Sequence, residues 1–174
     1  NDTLKCLDVL QKGFECYPKT SYFFSHLFDH YFRSGDMKRA VEICDGAVAA
    51  DSLNSIALFA KSSVLFAQKR YDECIAVCDR IIKLDKQNSG AYLNAGLSYF
   101  NQAVELDILK NYKRDQRSRM LQLYRKALPY MQTYRKLAPK EQVQWAMPLY
   151  TIYLNLNMGK EFDEIDSLMK GKKK

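Results

Sequence analysis

Three groups of residues in this chain have types and spacings that could carry chemistry. His26 and His30 stand four residues apart, which on a helix puts two imidazoles on one face. Cys74 and Cys78 share that spacing and would make half of a thiolate metal set. The third group is larger. Between Lys110 and Lys140 there are ten basic residues: Lys110, Lys113, Arg114, Arg117, Arg119, Arg125, Lys126, Arg135, Lys136 and Lys140. Tyr112, Tyr124, Tyr130 and Tyr134 interleave with them, against Asp115 and, just beyond, Glu141. Basic and aromatic side chains in alternation are the chemistry of a polyanion-binding surface.

Each group also has a plainer reading. The two histidines have no third residue to complete a triad or metal set, since Asp29 falls on another part of the helix. The chain has no Gly-rich phosphate loop and no paired metal motif, so it is read as non-catalytic, without metal or cofactor. The cysteines fall into repeated slots, Cys6 with Ala40 and Cys74, Cys44 with Cys78, and Cys16 with Ala50 and Leu84. All five are therefore expected on a buried stripe, where a free thiol packs as a small hydrophobe. The plainer reading of the basic run is a solvated helix face with its tyrosines turned inward.

The elements that position these residues recur with a period of 34. At that offset Phe24, Leu58 and Tyr92 align, as do Tyr31, Leu65 and Tyr99, and Asp51 and Asp85. Within one copy, Phe24, Leu27, Phe28 and Tyr31 follow the i, i+3, i+4, i+7 rule of a helix. Ala40, Ile43, Cys44 and Ala47 follow it again after a break at Ser34-Gly35-Asp36. Each copy is thus two helices and a tight turn. Such a pair buries its apolar face only against its neighbours. Residues 1–20 form the second helix of a truncated repeat, and 21–54 and 55–88 are the twin copies. Ser21, Ser55 and Ser89 stand near the helix entries and are expected to cap them.

The third copy, 89–141, is stretched. Tyr124, Ala127, Leu137 and Pro139 match Tyr71, Cys74, Leu84 and Lys86 at a spacing of 53 instead of 34. The 19 extra residues, within 103–122, contain neither Gly nor Pro. The prediction is that both helices grow by about two turns into a projecting hairpin, packed through Val104, Ile108, Met120 and Leu123. Pro129 should kink the returning helix near Arg125. The last pair spans 142–170, with Trp145 in its aromatic slot, and the lysine-rich tail from Lys170 is expected to be disordered.

This pattern resembles the tetratricopeptide repeat (TPR) family. Leu27, Tyr31, Gly35, Ala40 and Ala47 carry the resemblance in the first full copy. Tyr71-Asp72-Glu73, Ile75 and Leu84-Asp85 carry it in the second, and Ala95-Gly96 with Tyr99 in the third. Phe28, Lys61, Ser52 and Lys86 depart from it. The resemblance implies an all-α, right-handed solenoid of helical hairpins with an elongated third pair, in one domain, acting as a protein-interaction scaffold. The stretched third copy, with Ala127-Leu128-Pro129-Tyr130 and the segment from Pro148 to Lys160, is similar to exported TPR proteins of Gram-negative bacteria. That likeness favours the periplasm or cell envelope, whereas reduced thiols would suit a cytoplasm.

TPR arrays present the first helix of each pair to a concave groove. The resemblance therefore implies a peptide-binding groove carrying Tyr22, Ser25, His26, Asp29 and Arg33, then Ile56, Phe59, Ala60, Ser63 and Phe66, then Leu93, Asn94, Leu97 and Asn101. Ser25, Asp29, Ala60, Gly90 and Asn94 stand where the family's carboxylate clamp has its Lys, Asn and Arg, so no chaperone clamp is expected. The groove is apolar and aromatic, suited to a helix or an extended apolar peptide. The alternative is a binder of nucleic acid or anionic membrane surfaces through the basic patch of Lys110, Lys113, Arg114, Arg117 and Arg119.

Composition agrees with a globular helical chain. Of 174 residues 47% are hydrophobic and 27% charged, with only 7 Gly and 4 Pro to make loops. The net charge of +7 is accounted for by the basic run. No apolar run is long enough to span a membrane. The chain begins at Asn1, near the turn of a repeat, and is read as part of a longer protein.

Overall fold

Helical periodicity, scarce glycine and regularly placed turn residues dictate hairpins of helices, and that is the architecture. A computed structural model describes residues 2–107 and 114–171. The helices run α1 (Asp2–Cys16), α2 (Ser21–Arg33), α3 (Met37–Ala50), α4 (Ser55–Ala67), α5 (Tyr71–Leu84), α6 (Ser89–Asp107), α7 (Arg114–Leu137), α8 (Gln142–Asn155) and α9 (Gly159–Lys170). The described residues include no strand. Each helix packs on the next within two compact units, Asn1–Leu84 and Asp85–Lys174.

The period of 34 extends from residue types to hydrogen bonds. At the end of α2, the amides of Ser34, Gly35 and Asp36 donate to the carbonyls of His30, Phe32 and Tyr31. Those of Gln68, Lys69 and Arg70 make the same three bonds to Val64, Phe66 and Leu65 at the end of α4. Leu156, Asn157 and Met158 make them again to Ile152, Leu154 and Tyr153. This closure satisfies the last carbonyls of a helix and needs its central residue at positive φ. Gly35 supplies φ 77° at no steric cost, whereas Lys69 (58°) and Asn157 (55°) adopt it as side-chain-bearing residues.

The helix entries repeat as well, but through asparagine. Asn54 Oδ1 accepts from the amide of Ala57, and Asn88 Oδ1 from that of Ala91. Asp51 and Asp85 carboxylates accept from the amides of Leu53 and Gln87 in the preceding turns. The expected serine caps are therefore corrected. Ser55 and Ser89 are already the first helical residues, and Thr20, before Ser21, makes no side-chain cap bond. The residue one before each serine holds the N-cap position, and there the asparagine carbonyl reaches the free amide three residues on.

In the first unit the core joins Phe14 of α1, Phe24, Leu27 and Tyr31 of α2, Ala40, Ile43, Cys44 and Ala47 of α3, and Ala57, Ala60 and Val64 of α4. Leu27, Ala40, Cys44 and Ala47 are wholly excluded from water. Each large side chain so buried is worth about 1.5–3 kcal/mol. Cys44, Cys74 and Cys78 are buried as expected, but Cys6 and Cys16 are exposed. In α3 and α5 the slot of Ala40 and Cys74 is covered by the preceding helix of the pair. Here α1 packs on α2 and, through Phe14, against Gly46 of α3, and Cys6 and Cys16 stand on the faces that are left to water.

The second unit is cored by Met120, Tyr124, Met131 and Tyr134 of α7, Trp145, Leu149, Ile152 and Tyr153 of α8, and Ile165 of α9. Here α6 has 19 residues and α7 has 24, against 13 in α4 and 14 in α5. The helices of the third pair are thus lengthened and pack on each other along the hairpin. Met120 and Leu123 are buried and Val104 half-buried, while Ile108 and Tyr112 lie outside the described residues. Gly96 lets the two helices approach: a Cβ there would meet Met131 Sδ at 2.6 Å and Tyr130 Cβ at 3.2 Å. α7 continues through Pro129, whose carbonyl accepts from Thr133 Oγ1. Of the tail, Lys172–Lys174 lie outside the described residues.

Candidate functional site

The first helices of the twin copies, α2 and α4, are neighbours in the first unit. Each buries one stripe, Phe24, Leu27 and Tyr31 on α2 and Ala57, Leu58, Val64 and Leu65 on α4. The residues between those stripes are left for solvent or a ligand. Tyr22 is 61% exposed, Ile56 55% and Phe59 37%. Three large side chains on neighbouring helices thus offer apolar surface to solvent.

The remaining predicted groove residues of this unit frame those three. His26 packs edge-on against Tyr22, ring centroids 4.5 Å apart. Asp29 and Arg33 form an exposed ion pair at 3.1 Å one turn along. Ser63 Oγ donates to the Phe59 carbonyl. Phe66 is half-buried against Tyr71, 6.0 Å between centroids. Ala60, expected on the same face, is instead buried. Its small side chain sits in the core beside Ala57. His30 is half-buried with its ring edge-on to Tyr31. Among the described residues no cluster of His, Cys, Asp and Glu could hold a metal.

The four predicted residues on α6 belong to the second unit. Leu93 and Leu97 pack against its core, and Asn94 and Asn101 are half-buried. The sequence reading missed α8, where Val143 is 91% exposed and Met147 and Leu154 are more than half exposed. With half-buried Tyr150 they form an i, i+4, i+7, i+11 stripe. Following the first-helix rule through the last pair would have found it.

Of the basic patch, Arg114, Arg117 and Arg119 are exposed at the start of α7. Lys110 and Lys113 lie outside the described residues. Among those described, none of the three arginines is in an ion pair. Lys126 lies 5.7 Å over the Tyr99 ring, and Arg135 bonds Glu164. Tyr112 aside, the interleaved tyrosines are turned inward, with Tyr124 and Tyr134 buried. Burial, and the negative charge of Asp107, push the Tyr124 hydroxyl up to about 12.

The buried thiols are unreactive for physical reasons. Burial, reinforced by the adjacent Asp45, pushes Cys44 up to about 12. Cys78 is raised by its contact with Cys74, Sγ to Sγ 4.0 Å, and by burial. Cys74 Sγ donates to the Ser62 carbonyl. Neither Cys44 nor Cys78 forms an appreciable thiolate at neutral pH.

Comparison with known proteins agrees with this architecture. Residues 56–88 match the family described as tetratricopeptide repeat. No curated protein matches the chain. Among solved structures, a MamA RS-1 double mutant superposes with a TM-score of 0.70 at 17% identity, over 97% of this chain and 86% of that one. The human IFIT1 dimer with m7Gppp-AAAA superposes with a TM-score of 0.69 at 13% identity, over 90% of this chain but 34% of that one. The chain thus spans about a third of the length of IFIT1. No helix of the described residues is long and apolar enough to cross a membrane. Residues 56–88 are a tetratricopeptide repeat, and the helix pairs around them give the chain the fold of tetratricopeptide-repeat proteins.

Proposed function

We propose that the chain is a non-catalytic interaction scaffold that binds a peptide or protein segment on the face formed by α2 and α4. The carrying observation is the exposure of Tyr22, Ile56 and Phe59 on adjacent first helices. Such a face suits an amphipathic helix or an extended apolar segment, whose apolar side chains would cover all three. His26 and the Asp29–Arg33 pair supply a polar rim.

A photo-crosslinking side chain placed at Ile56 in the full-length protein, in its source cell, tests this. It should capture a discrete protein that the same group at exposed Ala76 of α5 does not. Phe59→Ala should reduce that capture severalfold while lowering stability by less than about 1 kcal/mol. Equal capture from both positions, or collapse of the fold in Phe59→Ala, overturns the reading.

A second reading rests on a separate observation: Arg114, Arg117 and Arg119 at the start of α7 are exposed and, among the described residues, in no ion pair. Together with Lys110 and Lys113 they would attract a polyanion, nucleic acid or an anionic membrane surface. A structural neighbour, IFIT1, is solved with m7Gppp-AAAA. Salt dependence separates the readings. Phosphate contacts weaken steeply with salt, and an apolar face does not.

A further inference from the structure

A cavity of about 540 Å³ opens within the second unit between α7, α8 and α9, apart from the α2/α4 face. Its lining is ordered by charge. Gln132, Arg135 and Lys136 come from one face of α7, at i, i+3 and i+4. Glu161 and Glu164 face them from α9, at i and i+3. Trp145 and Tyr153 of α8, both buried, lie between the two walls with Pro139.

The two walls are joined once. Arg135 bonds Glu164, and its guanidinium lies 4.9 Å over the Trp145 ring. That leaves one cation, Lys136, and one carboxylate, Glu161, on opposite walls. Neither is in an ion pair among the described residues. Gln132 Nε2 donates to the Tyr153 hydroxyl, so those two are satisfied. Trp145 Nε1 is not: it is buried and has no hydrogen-bond partner among the described residues. An indole N–H without an acceptor costs about 1–3 kcal/mol, and folded proteins seldom leave one empty.

We propose that this cavity binds a small zwitterion of the amino-acid class, a free amino acid or dipeptide with an aromatic or large aliphatic side chain. Its carboxylate is held by Lys136 and the Arg135 guanidinium. Its ammonium is held by Glu161. Its side chain rests on the Trp145 and Tyr153 rings and Pro139. The lining charges cancel, Arg135 and Lys136 against Glu161 and Glu164, so net charge offers nothing to a simple anion or cation. A ligand carrying both charges satisfies both walls.

Trp145 is the only tryptophan in the chain, so its fluorescence and its indole N–H resonance report on this cavity alone. The full chain is titrated with L-phenylalanine and with phenylalanyl-phenylalanine. N-acetyl-phenylalanine and phenylalaninamide, which each lack one charge, are the controls. The expected result is a saturable change in fluorescence and in the indole N–H resonance. Each singly charged analogue should bind about tenfold more weakly or worse, the worth of one charge-assisted hydrogen bond. Whichever of the two zwitterions binds more tightly identifies the source. Lys136→Gln and Glu161→Gln should weaken binding by a similar factor without lowering Tm, since neither side chain holds the fold together. No saturable change up to about 10 mM of either zwitterion overturns the proposal. So does equal binding of the blocked analogues, or unchanged affinity in both variants.

Discussion

The two units use one helix-pair plan and fill it in opposite ways. The first packs its second helices through small side chains, Ala40, Cys44, Ala47, Cys74 and Cys78, all fully buried. Phe24, Leu27 and Tyr31 fill the core beside them, while Tyr22, Ile56 and Phe59 are left outside. The second unit takes its large side chains inward, with Met131, Tyr124, Trp145 and Tyr153 in the core, and sets arginines on the outside of α7. A repeat fixes which positions face inward, and the volume placed there decides what remains for the surface. Small slots free the aromatic residues for recognition. Long helices carrying large slots free the cations.

The comparison breaks most visibly through volume. Trp145→Ala would leave a large void that the surrounding Tyr134, Leu149 and Tyr153 cannot fill, and should cost about 3–5 kcal/mol. Cys44→Ala removes a single sulfur and should cost about 1 kcal/mol. Urea midpoints of the two variants check both numbers. If Cys44→Ala costs as much as Trp145→Ala, the small slots of the first unit hold its core as firmly as the large ones hold the second.

Part of this contrast was legible in the sequence. The 34-residue offset of Phe24, Leu58 and Tyr92 marked the inward aromatic slot, and a 53-residue spacing marked the lengthened hairpin. Both are side-chain periodicity, which the chain displays directly. Lys69 was not legible. It takes positive φ where the first copy has Gly35, because the hydrogen-bonded end of α4 forces the conformation on whatever residue stands there. Cys6 and Cys16 misled for a related reason: a slot is buried only if a helix covers it. The cavity under Arg135 was invisible because Arg135, Trp145 and Glu164 meet only through tertiary packing. The empty bond of Trp145 Nε1 has no trace in residue order.

Alkaline pH sharpens the contrast at intermediate size. The Cys44 thiol, ordinarily ionising near 9.0, is pushed to about 12 in the fold. Between those values the unfolded chain has lost the proton and the folded chain keeps it. Unfolding then releases a proton, so stability falls as pH rises from 9, by at most ~1.4 kcal/mol per unit for one group, and levels off near 12. Cys78 acts in the same direction. In the second unit Tyr124 moves from 10.0 to about 12, so its contribution begins one unit later. Under reducing conditions Cys44→Ala should flatten the limb from pH 9, and Tyr124→Phe only from pH 10. At neutral pH a thiol reagent should modify Cys6 and Cys16 of the native protein and reach Cys44, Cys74 and Cys78 only after denaturation. Native labelling of all five sites, or an alkaline limb untouched by Cys44→Ala, removes the small-slot thiols from the core.

The smallest expected change in stability comes from the arginines the second unit leaves outside. Arg114, Arg117 and Arg119 are exposed and unpaired among the described residues, so replacing all three with Gln removes no contact that holds the fold. The stability change should stay within about 0.5 kcal/mol, and relief of like-charge repulsion should make it slightly favourable. Binding should respond far more, if the cluster binds at all. Each arginine that neutralises one phosphate of a single-stranded oligonucleotide adds about 0.7 to the slope of log affinity against log salt. Removing three such contacts should lower that slope by about 2 and weaken binding most at low salt. The oligonucleotide is the direct probe, and anionic vesicles are the parallel one for a membrane surface. An unchanged affinity and salt slope for both would leave the arginines as a solvated face. The recognition chemistry of this chain would then rest with the aromatic side chains that the first unit turns outward.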